Sequence, residues 1–191
     1  MVIERFEIDG LLLIKPSVFS DERGVFYETY SQQKYVELGL PSHFAQDNES
    51  VSKKTVLRGL HFQLPPYDQG KLVRVVKGRA LDVAVDLRTD SPTFGEYKMI
   101  ELSDENKFQF WIPSGFAHGF LSLADETIFN YKCTNYYNKE SEAGIIWNDK
   151  DLKINWNIEN PIVSEKDLQL TSFSRFNSPF KNTLHGTING K

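Results

Sequence analysis

The sequence predicts an all-β protein, folded as a β-sandwich or a β-barrel. Most of its 191 residues fall into short β-branched and aromatic segments, and glycine or proline separates one segment from the next. Short strands with turn residues at this spacing are typical of sandwiches and barrels. Only segment 31–38 has a helical pattern, with Ser31 as its predicted cap and Gly39 just after it. We therefore expect little helix.

The strand pattern is clearest in the middle of the chain. Segment 81–87 alternates strictly between apolar and polar residues, as a strand buried on one side does. The apolar face of this segment consists of Leu81, Val83, Val85 and Leu87. Segment 71–76 is rich in valine, and Lys77-Gly78 after it predicts a tight turn into the next strand. The other predicted strands are 11–15, 25–30, 55–63, 96–102, 107–112, 119–123 and 127–134.

The length of the chain suits a single domain. We expect this domain to span residues 1–180. Residues 181–191 are predicted to form a disordered tail, because they contain almost nothing apolar to bury. His185 lies in this tail, and we expect neither His185 nor His43 to take part in chemistry.

Composition argues against several classes of partner. The net charge of −4 gives no basic surface for nucleic acid. No apolar run reaches the roughly 20 residues that cross a bilayer, and the first residues lack the apolar core of a secretion signal. The single cysteine, Cys133, allows neither an internal disulfide nor a cysteine metal cluster, and we expect it to be buried. These features predict a cytoplasmic protein without a membrane partner.

Two histidines stand in unusual surroundings. His61 lies within the predicted strand 55–63, and His118 follows a turn rich in proline and glycine. A metal site on a strand would favour a second histidine two residues further on, because residues i and i+2 share a face. Position 63 is instead glutamine, a poor ligand for transition metals. We expect no metal at His61. A lone histidine in a strand fits a structural role as well as a catalytic one.

Two cations and a tyrosine are further candidates. Lys71 shares a strand face with two valines, which is unfavourable unless that face lines a pocket or the lysine reaches the rim. Arg58 and His61 lie on opposite faces of a regular strand. They share a pocket only if Gly59 marks a bulge or the strand starts after it, and the sequence leaves this open. Tyr131 fits aromatic packing, or a neutral phenol acting as a general acid.

Together these segments resemble the dTDP-4-dehydrorhamnose 3,5-epimerase family. The most specific motifs are Val-Leu-Arg-Gly-Leu-His-Phe-Gln at 56–63 and Trp-Ile-Pro-Ser-Gly-Phe-Ala-His-Gly-Phe at 111–120. The resemblance runs over roughly residues 3–170 in the family's order and spacing. The other matching segments are 19–28, 46–48, 69–73, 82–88, 91–95, 131–137, 146–149 and 164–167.

The resemblance implies a cupin-type jelly-roll β-barrel with short peripheral helices. It also implies a homodimer formed by strand exchange, with no cofactor and no metal. The implied substrate is a dTDP-linked 4-keto-6-deoxyhexose, dTDP-4-dehydro-6-deoxy-D-glucose. Inversion of its carbons C3 and C5 gives dTDP-4-dehydro-L-rhamnose, on the route to dTDP-L-rhamnose.

The resemblance also implies roles for individual residues. His61 matches the family's base, and Asp167 matches the carboxylate paired with that base. Tyr131 matches the acid on the opposite face of the sugar, and Lys71 the cation beside the ketone oxygen. Tyr137 matches the aromatic side chain that stacks on thymine. The other substrate-contacting positions are Arg23, Phe26, Glu28, Gln46, Asn48, Arg58, His118, Glu142 and Lys166. The nucleotide of the neighbouring subunit would reach the first three of these.

The implied chemistry suits these residue types. A proton beside a ketone is weakly acidic, so its removal requires a placed base and a stabilised enolate. Neutral imidazole is available at cellular pH, and a carboxylate can fix its tautomer. Since no phosphate-binding glycine motif occurs, arginines such as Arg23 and Arg58 would bind the phosphates.

Three alternatives remain at this stage. The first is an epimerase that acts on only one carbon of another dTDP-4-keto-deoxysugar, since one base can serve either position. The second is a cupin module that binds a sugar nucleotide without turnover. It is disfavoured because the base, the acid, the cation and the paired carboxylate are all present. The third, a metal-dependent cupin dioxygenase, is disfavoured by Gln63.

Overall fold

The computed structural model describes residues 1–182, and this part of the chain is almost entirely strand and loop. The predicted all-β class is confirmed. The strands are β1 (Val2–Arg5), β2 (Leu12–Lys15), β3 (Val18–Asp21), β4 (Gly24–Tyr27), β5 (Gln46–Ser52), β6 (Leu57–Gln63), β7 (Lys71–Lys77), β8 (Arg79–Asp86), β9 (Tyr97–Ser103), β10 (Gln109–Ile112), β11 (Phe116–Ser122), β12 (Thr127–Cys133) and β13 (Glu142–Gly144). The helices are α1 (Gln32–Glu37) and α2 (Glu165–Leu168), with a 3₁₀ turn at Phe173–Arg175.

The strands form two antiparallel sheets that face each other as a jelly roll. The six-stranded sheet has the order β1-β2-β10-β7-β12-β5, and the five-stranded sheet has the order β13-β6-β11-β8-β9. Neighbours such as β10 and β7 are distant in sequence, as the crossing connections of a jelly roll require. Strands β3 and β4 form a separate two-stranded hairpin.

The interior between the sheets is apolar over most of its length. Val73 of β7 and Phe129 of β12 meet Ala84 of β8 and Phe120 of β11, and all four are buried. The rings of Phe120 and Phe129 stack with their centroids 4.0 Å apart, so they join one sheet to the other.

Each sheet is also covered on its outer face. The predicted apolar face of β8 packs beneath the C-terminal segment, where Leu152, Trp156 and Phe180 are buried. Tyr35 of α1 covers the outer face of the other sheet, above Leu12 and Trp111. Because alternate residues of a strand point to opposite faces, the carboxylate-bearing face of β8 is turned into the barrel.

The predicted strands match observed ones, with ends that differ by up to three residues. The sequence did not predict β1, β3, β5 and β13. Strand β5 is polar, Gln-Asp-Asn-Glu-Ser-Val-Ser, and it lies at a sheet edge where β12 is its only partner strand within residues 1–182. An edge strand exposed to solvent needs no apolar alternation. The predicted helix is α1, and Ser31 is its N-cap residue but makes no side-chain capping bond.

The end of the described chain is attached to the barrel. Phe180 belongs to the outer core, the Lys181 Nζ donates to Thr89 Oγ1 at 2.7 Å, and the Asn182 N–H donates to Asp90 Oδ1 at 2.6 Å. The rest of the predicted tail, 183–191 with His185, lies outside the described residues. In residues 1–182, no helix has the length and apolar character to cross a bilayer.

Strand β6 changes face at Gly59. The register pairs His61 with His118 and Arg58 with Phe120, so three residue steps on β6 oppose two on β11. The extra residue is a β-bulge, and Gly59 adopts a φ of 130° within it. Arg58 and His61 therefore both face the interior, which answers the question that the sequence left open.

Two glycines allow β6 and β11 to approach at this bulge. A Cβ atom on Gly59 would lie 2.6 Å from the Cα of Gly119, and one on Gly119 would lie 2.7 Å from the carbonyl oxygen of Arg58. Both contacts are with backbone, which cannot rotate away. The bulge, and with it the direction of His61, thus depends on the absence of side chains at both positions.

Replacing Gly59 by alanine should destabilise the fold strongly. The new methyl group meets backbone and the positive φ is strained for alanine, so we expect a loss of about 2–5 kcal/mol in the free energy of unfolding. Gly39→Ala is the matched control, because Gly39 has a φ of 87° with open space around it. It should lose only about 1 kcal/mol. Equal losses in chemical denaturation would contradict the account of the bulge.

Candidate active site

A cavity of about 520 Å³, lined by both apolar and ionisable side chains, opens between the sheets at one end of the barrel. A second cavity of about 270 Å³ adjoins it, and the two share His61, Lys71 and Tyr131. The first cavity also brings together the predicted Arg58, His118, Lys166 and Asp167. The second adds the predicted Gln46, Asn48, Tyr137 and Glu142.

His61 and Asp167 form a close pair at the edge of the larger cavity. His61 Nε2 lies 2.7 Å from Asp167 Oδ1, although the residues are 106 positions apart. Asp167 lies on α2, where Ser164 caps the helix by accepting from the Asp167 N–H, and Asp167 Oδ2 accepts from the Gly59 N–H. Asp167 is buried, whereas the His61 side chain is 31% exposed.

The protonation state of this pair follows from its contacts. Burial alone would raise the pKa of the Asp167 carboxyl, but His61 and the Gly59 N–H together hold it below its ordinary value. An ionised carboxylate can only accept, so neutral His61 carries its proton on Nε2. His61 Nδ1 is then unprotonated, and no side chain of residues 1–182 forms a hydrogen bond with it.

Lys71 and Tyr131 face the same space without partners. Neither the Lys71 ammonium nor the Tyr131 hydroxyl has a hydrogen bond or an ion pair within residues 1–182. Burial lowers the pKa of Lys71, and burial raises the pKa of the Tyr131 phenol. The tyrosine is therefore neutral at cellular pH and can donate a proton.

A second imidazole–carboxylate pair lies deeper in the barrel. His118 Nε2 is 2.9 Å from Asp82 Oδ2, and both side chains are buried. Burial lowers the pKa of His118 even though Asp82 opposes the change, so this ring is neutral at cellular pH. The sequence did not single out Asp82. Its position on the polar face of segment 81–87 was the available signal, since the opposite face was predicted to be apolar.

The rim of the smaller cavity is polar and aromatic. The Tyr137 hydroxyl donates to Glu142 Oε2 at 2.8 Å, and Lys166 forms an ion pair with the same carboxylate. Gln46 Oε1 accepts from the Tyr137 N–H, and Gln46 Nε2 donates to Asn48 Oδ1. The Tyr137 side of this rim is open to solvent, which leaves a ring face free for stacking.

The three remaining predicted residues lie away from both cavities. Arg23 forms an exposed ion pair with Asp21, and Glu28 pairs with Lys34. Phe26 is 71% exposed on the hairpin β3–β4. These side chains therefore add nothing to the site of their own chain.

Gln63, the residue that stands where a metal-binding histidine would, has a structural task. Its Nε2 donates to the carbonyls of Tyr67 and Tyr136, and its Oε1 accepts from the Asn138 N–H. In the described part of the chain, no group of three or more His, Cys, Asp or Glu side chains is arranged to hold a metal ion. The absence of a functional metal stays a prediction.

The arrangement can move a proton on either side of a bound molecule. An unprotonated imidazole nitrogen on one sheet and a neutral phenol on the other both face the cavity, and a lysine shares the same lining. The site thus combines a base, an acid and a cation for a developing oxyanion. Cys133 is buried as predicted and contacts Asn48, and burial raises the pKa of its thiol.

Comparison with known proteins gives a consistent result. Residues 5–175 match a family model described as dTDP-4-dehydrorhamnose 3,5-epimerase. The chain is 52% identical over 174 residues to the dTDP-4-dehydrorhamnose 3,5-epimerase of Shigella flexneri, covering 91% of this chain and 96% of that protein.

Solved structures agree with this. The crystal structure of the enzyme of that name from Elizabethkingia anophelis superposes with a TM-score of 0.87 at 50% identity, covering 91% of this chain and 97% of that one. A dTDP-6-deoxy-D-glucose-3,5-epimerase from Legionella pneumophila, solved with dTDP-4-keto-L-rhamnose, has a TM-score of 0.88 at 47% identity. It covers 92% of this chain and 94% of that one.

Asp167→Asn should destabilise the protein in a pH-dependent way. The folded-state pKa of Asp167 is lowered, so its charge stabilises the fold fully above the unfolded value of about 3.9 and loses this effect as the pH falls through the folded value. We expect the asparagine variant to be about 1–3 kcal/mol less stable at neutral pH. The gap should close on acidification.

The measurement is denaturant unfolding at a series of pH values, for the wild type and for Asp167→Asn. Asp151→Asn is the control, because Asp151 is exposed and the substitution has the same shape. It should change little at any pH. A gap for Asp167→Asn that stays constant into strong acid would contradict the ionised pair.

Proposed function

We propose that this chain, which belongs to the dTDP-4-dehydrorhamnose 3,5-epimerase family, inverts C3 and C5 of dTDP-4-dehydro-6-deoxy-D-glucose and so forms dTDP-4-dehydro-L-rhamnose. The single observation that carries this proposal is the cavity itself, where a carboxylate-paired imidazole and an unpartnered phenol share one lining. The likeness to relatives with that name extends over nine-tenths of the chain.

In the proposed reaction, His61 removes the proton beside the ketone through its unprotonated Nδ1. The imidazolium that forms keeps its Nε2 proton directed at Asp167, at the 2.7 Å distance of the resting pair. The carboxylate thus fixes the tautomer beforehand and stabilises the positive charge afterwards. General-base catalysis of this kind contributes about 10²–10⁴-fold to a rate.

The enolate that results carries its negative charge on the ketone oxygen. We assign its stabilisation to Lys71, whose ammonium lines the cavity and forms no ion pair with a carboxylate of the described chain. A cation in a site with little water stabilises a developing oxyanion more than it would in solution. Inversion then needs a proton from the other face of the sugar, and the neutral phenol of Tyr131 is suited to deliver it.

The nucleotide would extend from this cavity over the polar rim. Arg58, which faces the cavity, and Lys166 can bind the phosphates, while Tyr137 offers a ring for the thymine. Gln46, Asn48, Glu142 and His118 provide polar groups along this path. We keep the proposal that the reaction needs no cofactor and no metal, because a two-sided acid and base already account for it.

We also propose that the active unit is a homodimer in which the hairpin β3–β4 completes the site of the partner. The hairpin exposes large apolar side chains, with Phe19 at 65% and Phe26 at 71%. Arg23 at its tip is 86% exposed and lines neither of the two cavities that contain His61 in its own chain. A cytoplasmic location of the enzyme is a further part of this proposal, and the sequence features that predict such a location support it.

Hydrogen exchange separates the base from the acid. In D₂O, His61→Ala should lose both inversion and deuterium uptake at C3 and C5, by about 10²–10⁴-fold, because no enolate forms. Tyr131→Phe should slow inversion, while deuterium still enters with retained configuration because His61 returns a solvent-exchanged proton to the same face. NMR of the sugar ring protons measures both quantities.

The controls are His43→Ala and Tyr136→Phe, since both residues are exposed and lie outside the two cavities. Both control variants should behave as the wild type. A Tyr131→Phe enzyme that inverts at the normal rate would remove Tyr131 from the mechanism. Deuterium entering only one of the two carbons would indicate the single-carbon epimerase instead.

Mixing two inactive variants tests the shared site. Arg23→Ala damages the hairpin and His61→Ala damages the cavity. If the hairpin serves the partner, each mixed dimer contains one intact site, and an equal coexpression should recover about a quarter of wild-type activity. Light scattering should give twice the mass of one chain. No recovery from mixed dimers would mean that the hairpin does not complete a neighbouring site.

A further inference from the structure

Asp82 is a charged side chain in an apolar part of the barrel. It lies on β8 between Ala80 and Ala84, which belong to the core between the sheets, and it is fully buried. Its Oδ2 contacts His118, but its Oδ1 has no hydrogen-bonding partner among residues 1–182. A buried carboxylate with an unsatisfied oxygen is costly unless a nearby positive charge compensates it.

Lys71 is the positive charge that fits this requirement. Like Asp82, it faces the interior, and no carboxylate of the described chain lies within ion-pair distance of its ammonium. The groups that face Lys71 from the surrounding strands are His61 on β6, Asp82 on β8, His118 on β11, Tyr131 and Cys133 on β12, and Glu142 on β13.

Of these groups, only Asp82 is a negative charge without a cation bound to it. The carboxylate of Glu142 is already paired with Lys166 and accepts from Tyr137. Burial raises the pKa of Cys133 and of Tyr131, so both are neutral. The two imidazoles carry no negative charge, so they cannot compensate the charge of the lysine.

We propose that Asp82 is a positioning residue for the proposed epimerisation, which holds His118 in one tautomer and keeps Lys71 charged. Its carboxylate accepts the His118 Nε2–H, so His118 Nδ1 carries no proton. Its charge compensates the ammonium of Lys71 across the barrel. Asp82 itself touches no substrate in this scheme.

Both effects concern the epimerisation proposed for this site, so the inference rests on that proposed function. A His118 with unprotonated Nδ1 accepts a hydrogen bond from a sugar hydroxyl and cannot donate one to the ketone. Lys71 then remains the cation beside the enolate oxygen, but only while it stays protonated in its buried position. The Asp82 carboxylate therefore fixes His118 on β11 as an acceptor and keeps Lys71 on β7 as a cation.

The tautomer of His118 is measured directly by ¹⁵N NMR of histidine-labelled wild-type protein without substrate. His118→Asn identifies the signal by its loss. We expect a protonated Nε2 and an unprotonated Nδ1 throughout the neutral pH range. A proton on Nδ1, or a doubly protonated ring at neutral pH, would overturn the proposal, and this test needs no variant of Asp82 to fold.

The charge effect is tested by titrating lysines labelled at the ε-carbon, again without substrate. Lys71→Met assigns the signal. In Asp82→Asn the pKa of Lys71 should fall by about one unit or more, because a compensating charge is gone while burial persists. Asp149→Asn is the matched control, since Asp149 is also buried but lies in the outer core region and not at the cavities. It should leave the titration of Lys71 unchanged.

Kinetics add a readout that a merely structural role would not move. In Asp82→Asn the basic limb of the pH profile of kcat/KM should shift to lower pH, together with the titration of Lys71. An unchanged pKa of Lys71 in a folded Asp82→Asn protein would refute the charge role. Because both NMR tests use substrate-free protein, they can fail or succeed independently of whether the proposed epimerase activity is found.

Discussion

The close approach of β6 and β11 at Gly59 and Gly119 is the constraint on which the site depends. With backbone atoms this near, neither position has room for a Cβ atom. The bulge that results turns Arg58 and His61 to the same side. It also places the Gly59 N–H where Asp167 Oδ2 accepts from it. A regular strand would send either the arginine or the histidine into the outer core and would leave α2 without its anchor on β6.

Burial in the interior of the barrel makes it costly to leave a charge at the site uncompensated. Ionised groups lose most of their hydration there, so hydrogen bonds and charges of opposite sign are needed to stabilise them. Two imidazoles each face a carboxylate, His61 with Asp167 and His118 with Asp82. The stacked rings of Phe120 and Phe129 line the same cavity. The packed apolar core beside the site therefore helps to hold its side chains in fixed positions.

The sequence predicted the part of the fold where packing leaves a periodic pattern. Segment 81–87 alternates because one face meets the outer core, so the prediction for β8 was confirmed. Strand β5 has no such pattern, since it lies at an edge and one of its faces is solvated. The face shared by Arg58 and His61 could not be predicted, because a bulge depends on the register with β11, more than 50 residues further along the chain.

For the site, the resemblance named residues that spacing alone could not join. No local pattern links His61 to Asp167, and only the return of the chain through α2 brings them together. The sequence did not single out Asp82 for a different reason. A carboxylate on an alternating strand usually faces water, and only the second core on the outer side of β8 turns it inward. A strand with apolar groups on its outer face and a carboxylate on its inner face thus predicts a buried charge with a partner inside the barrel, as Asp82 with His118 and Asp86 with Arg88 show. This reasoning applies to other jelly rolls in which both faces of a sheet are covered.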